Sequence, residues 1–326
     1  VAFVLFELCQ KRRFGIACHS AVRTMKVRFL LFALLALAIQ SSLSVETGAP
    51  QRRIVFVRDS NIWIANLDGS KERKLIGGAD PCISPDGQKV AFTISPAGGK
   101  EVGRHIAVLE LSNGSTKVFK ETASNNCFGP VWSPDGSQVL FEILVENHWR
   151  LGLLNGDGSG FRFLEMPFRD PGWWSAIWAQ NGKSIFCQDL EEICRFDLNG
   201  QLLASWEIGK IIPNGDLDSS KRLSVSDDGQ SLLIDVNMDE EESPKDWEGP
   251  PPAIWLFNIP SGKATRLTPK MSYASDSCWL NHSEYLLVDS TKNEKISSIY
   301  QASIGGGTTR RLIKNAANPS VSAGSP

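Results

Sequence analysis

The sequence predicts an all-β fold, a six-bladed β-propeller of four-stranded antiparallel blades, on three observations. A turn-centred motif returns along the chain at intervals of 49, 46, 47 and 54 residues, counted from Ser84 through Ser133, Ala179 and Ser226 to Leu280. Each copy carries a second, Gly-containing turn, so each unit holds four short strands. The first unit lacks its opening strand, and the C-terminal tail contains a segment that matches it. A period of about 40–50 residues with several strands per unit marks a propeller.

The motif is clearest in ADPCISPDGQKVAFT, Ala79 to Thr93, and returns as PVWSPDGSQVLFE from Pro130, SAIWAQNGKSIFCQ from Ser175 and RLSVSDDGQSLLID from Arg222. A worn copy, SCWLNHSEYLLVD, begins at Ser277. In Ser84-Pro85-Asp86-Gly87 and Ser133-Pro134-Asp135-Gly136, Pro presets φ for a type I turn and Gly supplies the left-handed residue that closes a bulged hairpin. Turn chemistry accounts for all four residues, so the Ser and Asp are read as structural, not catalytic. After each Gly comes an apolar triplet, such as Val90-Ala91-Phe92 or Val139-Leu140-Phe141, fitting a strand buried on both faces. An apolar column precedes each turn: Ile83, Trp132, Trp178, Val225 and Trp279. It is what one strand per sheet would present to a neighbouring sheet.

The second turns, from Asp68-Gly69 to Gly305–Gly307, separate a third strand (NIWIANL, HIAVLEL, IWLFNI) from a fourth (RKLI, TKVFK, ATRLT). The unit is an antiparallel meander, A to D. The segment from Arg52 supplies B, C and D without A, while Pro319-Ser320-Val321-Ser322 lies over Pro81-Cys82-Ile83-Ser84. The tail is therefore expected to close the ring as strand A of blade one, covering an unpaired strand position.

Ahead of the repeats, Met25 to Ser44 reads as a signal peptide: MKVR, the apolar run Phe29 to Ile39, then small residues. The run is too short to span a bilayer comfortably. Residues 1–24 are expected to be an upstream extension from an early start, and residues 45–326 a single propeller domain with no membrane span. That domain keeps 28 of the 34 Lys and Arg and 35 of the 36 Asp and Glu, a net charge near −7. Such a balance argues against a nucleic-acid partner. It retains five Cys: Cys82, Cys127, Cys187, Cys194 and Cys278. Cys187 and Cys194 flank a short loop and are placed across a hairpin, either as a disulfide or as packed thiols. No C-x-x-C occurs. Asn155 to Gly160 resembles half a calcium loop, but Met166 stands where the bidentate Glu belongs. No metal or cofactor is expected.

Residues 81–92 and 130–141 carry the pattern P-x-W-S-P-D-G-x-x-[IV]-A-F almost intact. This resembles the TolB-type six-bladed propeller with its WD-like repeat, over residues 53–323. The resemblance implies a bacterial protein exported to the periplasm or secreted, with a protein partner; a family member binds a peptidoglycan-associated lipoprotein. The family places an α/β domain ahead of its propeller, whereas here Val45 to Arg52 precede blade one. The same repeat forms the lid propeller of the prolyl oligopeptidase family, whose chemistry belongs to an appended hydrolase domain. The sequence contains no G-x-S-x-G nucleophile elbow.

Strand direction puts the A–B and C–D turns on one face and the B–C and D–A connections on the other. The second set is expected to be long and irregular: Ser95 to Gly103, Lys120 to Gly129, Met166 to Trp173, Gly209 to Ser220, Asp239 to Pro252 and Thr268 to Asp276. Binding usually lives on such loops. The largest, Asp239 to Pro252, carries Trp247 and reads as a docking arm, a channel cap or a solvated insertion. At the channel mouth, the position before each motif Pro is Asp80, Gly129, Ser175, Arg222, Asp276 and Asn318 around the ring. Trp173, Trp174 and Phe168 lie nearby, for contact with sugar or peptide or for blade packing. His105 and His148 begin C strands, but His282 falls on the opposite face, which speaks against a three-His metal site. Asp80 and Asp276, read as the only ring pair of carboxylates, are expected to stand farther apart than the roughly 5–10 Å used in glycoside hydrolysis. The expectation is a monomeric, non-enzymatic binding or scaffold protein with an envelope protein or peptide as partner. The alternative is a carbohydrate-active lyase or hydrolase with its site at the channel mouth.

Overall fold

The computed structural model describes residues 52–95, 103–239, 249–290 and 297–323. The signal segment, the upstream extension, Trp247 and most of the Asp239 to Pro252 arm lie outside the described residues. The rest forms six antiparallel sheets. Blade one holds β1 (Arg53–Arg58), β2 (Asn61–Asn66) and β3 (Arg73–Gly77). Blade two holds β4 (Ala79–Ile83), β5 (Lys89–Ile94), β6 (His105–Glu110) and β7 (Thr116–Phe119). Blade three holds β8 (Cys127–Trp132), β9 (Gln138–Val145), β10 (His148–Asn155) and β11 (Arg162–Phe163). Blade four holds β12 (Trp174–Trp178), β13 (Ser184–Gln188), β14 (Glu192–Asp197) and β15 (Leu202–Glu207). Blade five holds β16 (Gly215–Asp216), β17 (Leu223–Val225), β18 (Ser231–Met238), β19 (Pro252–Asn258) and β20 (Lys263–Arg266). Blade six holds β21 (Ser275–Asn281), β22 (Glu284–Asp289), β23 (Ser298–Ser303) and β24 (Arg310–Ile313). The last strand, β25 (Ala317–Val321), returns to blade one and pairs with β1, Ile54 opposite Val321.

The apolar triplets explain where the core sits. Side chains alternate across a strand, so the triplet's middle residue faces one neighbouring blade and its flanks the other. Val90 and Phe92 pack towards blade one while Ala91 packs towards blade three. Leu140 packs towards blade four while Val139 and Phe141 pack towards blade two. The core is thus divided into six apolar clusters, one at each blade–blade seam, including the seam between blades six and one.

The Trp column stitches those seams. The indole N–H of Trp132 donates to Cys82 O at 3.1 Å, that of Trp178 to Val131 O at 3.2 Å, and that of Trp279 to Ser224 O at 3.1 Å. Each acceptor sits one residue before the column position of the preceding blade. The indole ring fills the seam and its one polar atom satisfies a carbonyl across it.

The turns take the expected form. Gly87, Gly136, Gly182 and Gly229 all have positive φ. Ser84 Oγ donates to Asp86 Oδ1 at 2.6 Å and accepts Lys89 N–H at 2.9 Å, and Ser226 makes the same pair of bonds. These bonds hold the Asp135 and Asp228 carboxyls below their ordinary range.

Two features depart from the sequence reading. The inner strand of blade five is split: β16 and β17 both pair with β18, with a short helix α1 (Ile208–Ile211) ahead of them. The long-loop face is uneven, because Asp59-Ser60 and Glu146-Asn147 are tight left-handed hairpins and Gly78 alone joins blades one and two. The long connections gather instead after β5, β18 and β22 and at the junctions of blades two to six. Cys187 and Cys194 stand directly opposite each other, as the hairpin predicts, and both are free buried thiols, the packed alternative.

Candidate functional site

All six inner strands wall an axial cavity of about 1140 Å³. Its mouth, on the side where those strands begin, is shaped by a repeated irregularity. The register slips between Ala79 and Cys82, Phe128 and Val131, Trp174 and Ile177, and Ser275 and Cys278. At each slip the residue before the motif Pro, or its equivalent, takes a left-handed backbone: Asp80 (φ 48), Gly129 (φ 62), Ser175 (φ 54) and Asp276 (φ 51). Asn318 (φ 50) does the same in the tail. A β-bulge of this kind leaves an N–H without its ladder partner and re-aims the side chain. Gly, Asn and Asp tolerate that conformation best, so backbone sterics explain most of the polar column read from the sequence. Arg222 is the exception. It lies ahead of β17, where no bulge occurs, and its backbone is not left-handed.

The bulge N–H groups are satisfied across the seams by Asp276 of the expected column and by Thr93, Glu142 and Asp235, which sequence reasoning missed. Gly129 N donates to Thr93 Oγ1 at 3.2 Å, Ser175 N to Glu142 Oε1 at 2.6 Å, and Asn318 N to Asp276 Oδ2 at 3.3 Å. Ser277, beside the bulge of blade six, gives its N–H to Asp235 Oδ2 at 3.2 Å. Thr93, Glu142, Gln188 and Asp235 all follow an apolar triplet directly. That column is polar in four consecutive copies, which is the signal that would have found it. Gln188 differs: its side-chain amide donates to Asp218 O at 3.0 Å.

Two of these acids are strongly perturbed. Glu142 is 5% exposed, and burial together with the Asp80 charge pushes it to about 8, against the bonds from Ser175 and Ala176 N–H. Its Oε2 has no hydrogen-bond partner. Asp235, 1% exposed, is pushed by burial to about 6, with Ser277 opposing the shift. The cavity wall therefore carries Glu142, Asp218 and Asp235 besides the ring pair Asp80 and Asp276.

Arg222 joins the predicted pair. Its Nη2 stands 3.8 Å from Asp80 Oδ1 and its Nε 3.7 Å from Asp276 Oδ1. Blades two and five are opposite in a ring of six, so the Arg222 side chain crosses the channel. One guanidinium reaches both carboxylates, so they stand closer together than the sequence spacing suggested. Asn318 Nδ2 completes the cluster with a 3.0 Å bond to Asp276. Asp80, Ser175, Arg222, Asp276 and Asn318 thus come together as expected.

The aromatic residues divide. Trp174 lines the channel but is only 4% exposed. Trp173 is 3% exposed, packs edge-on against Phe196 and bonds Pro167 O. It belongs to a separate cavity of about 260 Å³ beside Phe168 and His148. Phe168 is 72% exposed and meets His148 in a tilted ring contact. The rings at the mouth itself are Phe128 and Trp149, edge to face at 5.1 Å, with Arg104 over Phe128 at 4.6 Å. The Asn155–Gly160 turn is held by Ser159 on Asp157. Among the described residues, no group of three or more His, Cys, Asp or Glu is placed to hold a metal ion.

Fold and site together define a class: a six-bladed β-propeller with an axial channel whose charged mouth is built on bulged inner strands. Within that class the fold is TolB-like. Over 104 residues the chain is 29% identical to the Tol-Pal system protein TolB of Anaeromyxobacter dehalogenans (strain 2CP-C), a match covering 30% of this chain. The match spans 22% of that relative's length. The crystal structure of TolB from Acinetobacter baumannii aligns with a TM-score of 0.60 at 17% identity, over 89% of this chain and 71% of that one. The structure of putative TolB from Agrobacterium tumefaciens gives 0.56 at 15% identity, over 82% of this chain and 90% of that one. No protein-family model matches the chain. Among the described residues, no helix is long and apolar enough to cross a membrane.

Proposed function

We propose that this protein is an exported, non-enzymatic binding or scaffold protein of the bacterial envelope, acting in the periplasm or after secretion. It takes a protein or peptide partner at the channel mouth. The observation that carries this reading is the Arg222 crossing: a charged side chain crosses the channel to stand between Asp80 and Asp276 without a direct hydrogen bond to either. The likeness to TolB, named for the Tol-Pal system, supports a protein partner, and the Met25 to Ser44 pattern supports export. The propeller acts as a monomer, one channel per chain.

The test is capture of a partner from bacterial envelope extract. The double variant Asp80→Asn, Asp276→Asn should lose it. A control pair, Lys89→Ala and Gln138→Ala beside the A–B turns, should keep it. Loss only in the control would place binding on the other face.

A second reading, a carbohydrate-active lyase or hydrolase in the same channel, is favoured by Glu142. It holds its proton near neutrality while Asp276 stays paired with Arg222, the division of roles that acid-assisted glycosidic cleavage uses. Cleavage of a purified polysaccharide, abolished in Glu142→Gln, would establish it over the first.

A further inference from the structure

Arg222 is loosely held compared with other arginines of this chain. Its guanidinium stands 3.7 and 3.8 Å from its two carboxylates, beyond direct hydrogen-bond reach. Two other arginines are bound closely, although the more exposed Arg150 stands 3.9 Å from Glu165. Arg58 reaches Asn315 O at 3.0 Å, Lys314 O at 2.7 Å and the Glu72 carboxylate, and Arg169 reaches Asp189 at 2.8 Å. The Arg222 side chain also keeps 30% of its surface exposed.

The mouth nevertheless demands a cation. Burial works against the Arg222 charge, yet Asp276, Asp80 and Asp235 outweigh it and hold the group above its ordinary value. The cavity, about 1140 Å³, exceeds the roughly 300–1,000 Å³ of common ligand sites, so one arginine side chain does not fill it. Glu142 forms part of the same wall and leaves a buried, unpartnered oxygen. A fold that needed Arg222 only as a clamp would bring it into contact with its acids.

We propose that Arg222 is an internal stand-in for the arginine of a partner, an extended peptide segment whose guanidinium displaces Arg222 from between Asp80 and Asp276. This rests on the reading of the mouth as a binding site. A guanidinium suits the place because its planar fork spans two carboxylates at once, whereas an ammonium is a point charge. Glu142 Oε2 is a second polar anchor for the main chain of the same segment. Arg222 is then a competitor of the ligand, so removing it strengthens binding.

The test uses a fluorescent, extended hexapeptide with one arginine, and a control with citrulline in its place. Fluorescence anisotropy compares the full chain with Arg222→Met, which keeps the apolar stem without the charge. Arg222→Gln serves as the second variant if Arg222→Met does not fold. The arginine peptide should bind the variant about tenfold more tightly, the scale of one partly desolvated ion pair. Adding Asp80→Asn and Asp276→Asn should abolish the gain, and the citrulline peptide should bind neither protein. Equal or weaker binding in the Arg222 variants, or equal binding of citrulline, overturns the proposal. If that happens while the double Asn variant still loses its captured partner, the binding site stands and only the stand-in role falls. If the partner is retained there, the binding site itself falls.

Discussion

Ser322 stands to Arg53 as Ser84 stands to Lys89. Ser322 N donates to Arg53 O at 3.0 Å and Ser322 Oγ accepts Arg53 N–H at 2.9 Å; the corresponding distances for Ser84 and Lys89 are 2.8 and 2.9 Å. In blade two the pair lies at the base of one tight turn. In blade one it joins segments from opposite ends of the repeat region, without any turn. Deleting residues 317–326 should remove the inner strand of blade one and lower the melting temperature sharply or cause aggregation. A truncated protein that melts like the full chain would refute closure by the tail.

The single substitution Ser322→Ala should cost about 1–2 kcal/mol, because it strips the partner from a backbone N–H at the seam. Ser84→Ala and Ser133→Ala should cost at least as much in urea titrations, since each also loses a bond to Asp86 or Asp135. A Ser322 variant far milder than the other two would mean that the closing strand is held mainly by its ladder.

The indole stitches predict a matched set. Trp132→Phe, Trp178→Phe and Trp279→Phe each remove one N–H donor and leave a carbonyl unpaired across a seam. Each should lose at least about 1 kcal/mol in denaturant unfolding, with the lost ring volume adding to it.

Glu142 makes stability depend on pH in a defined direction. Unfolded, its carboxyl ionises near its ordinary 4.5; folded, it keeps its proton to about 8. Its contribution is therefore fully present below about pH 4.5, falls as pH rises, and levels off above about 8. The loss across that window is on the order of a few kcal/mol. Glu142→Gln should remove this slope, so the variant gains on the parent steadily between pH 5 and 8 in thermal melts. Asp235, raised to about 6, adds a smaller slope of the same sign that survives in the variant.

The bulge column can be tested at two positions. Gly129→Ala meets no close atom, the nearest being Glu142 Oε1 at 3.8 Å, yet its φ of 62° is unfavourable for Ala. It should cost roughly 1 kcal/mol through backbone strain alone. Ser175→Asn should be tolerated and Ser175→Val should not, because a β-branched residue at positive φ is an outlier. Equal stability of the two would show that the bulge is not set by the residue there.

The fold was legible in the sequence because its signals are local. Ser84 to Gly87 dictates a turn by itself, and Val90 to Phe92 dictates a doubly buried strand. The ring column was legible for the same reason, since Asp80 and Asp276 hold fixed places before each turn. What the sequence hid depends on contacts across seams. Glu142 reads as the polar end of a strand until Ser175 of the next blade is seen to need its oxygen. Arg222 reads as one more polar residue until the ring brings blade two opposite blade five. Trp173 and Trp174 are neighbours in sequence, but β12 starts only at Trp174, and one ring packs in a seam while the other lies on the channel wall.

The left-handed bulges also restrict the alphabet in which the channel mouth can be written. At the five bulged positions, only a few short residues fit without strain, which limits how far their side chains reach. Blade five escaped this rule when its inner strand divided into β16 and β17. That interruption opened the one place around the ring where a long side chain is permitted at no backbone cost. A lineage that needed a new specificity at this mouth would find its freedom at position 222, and engineers seeking to re-address the channel should begin there.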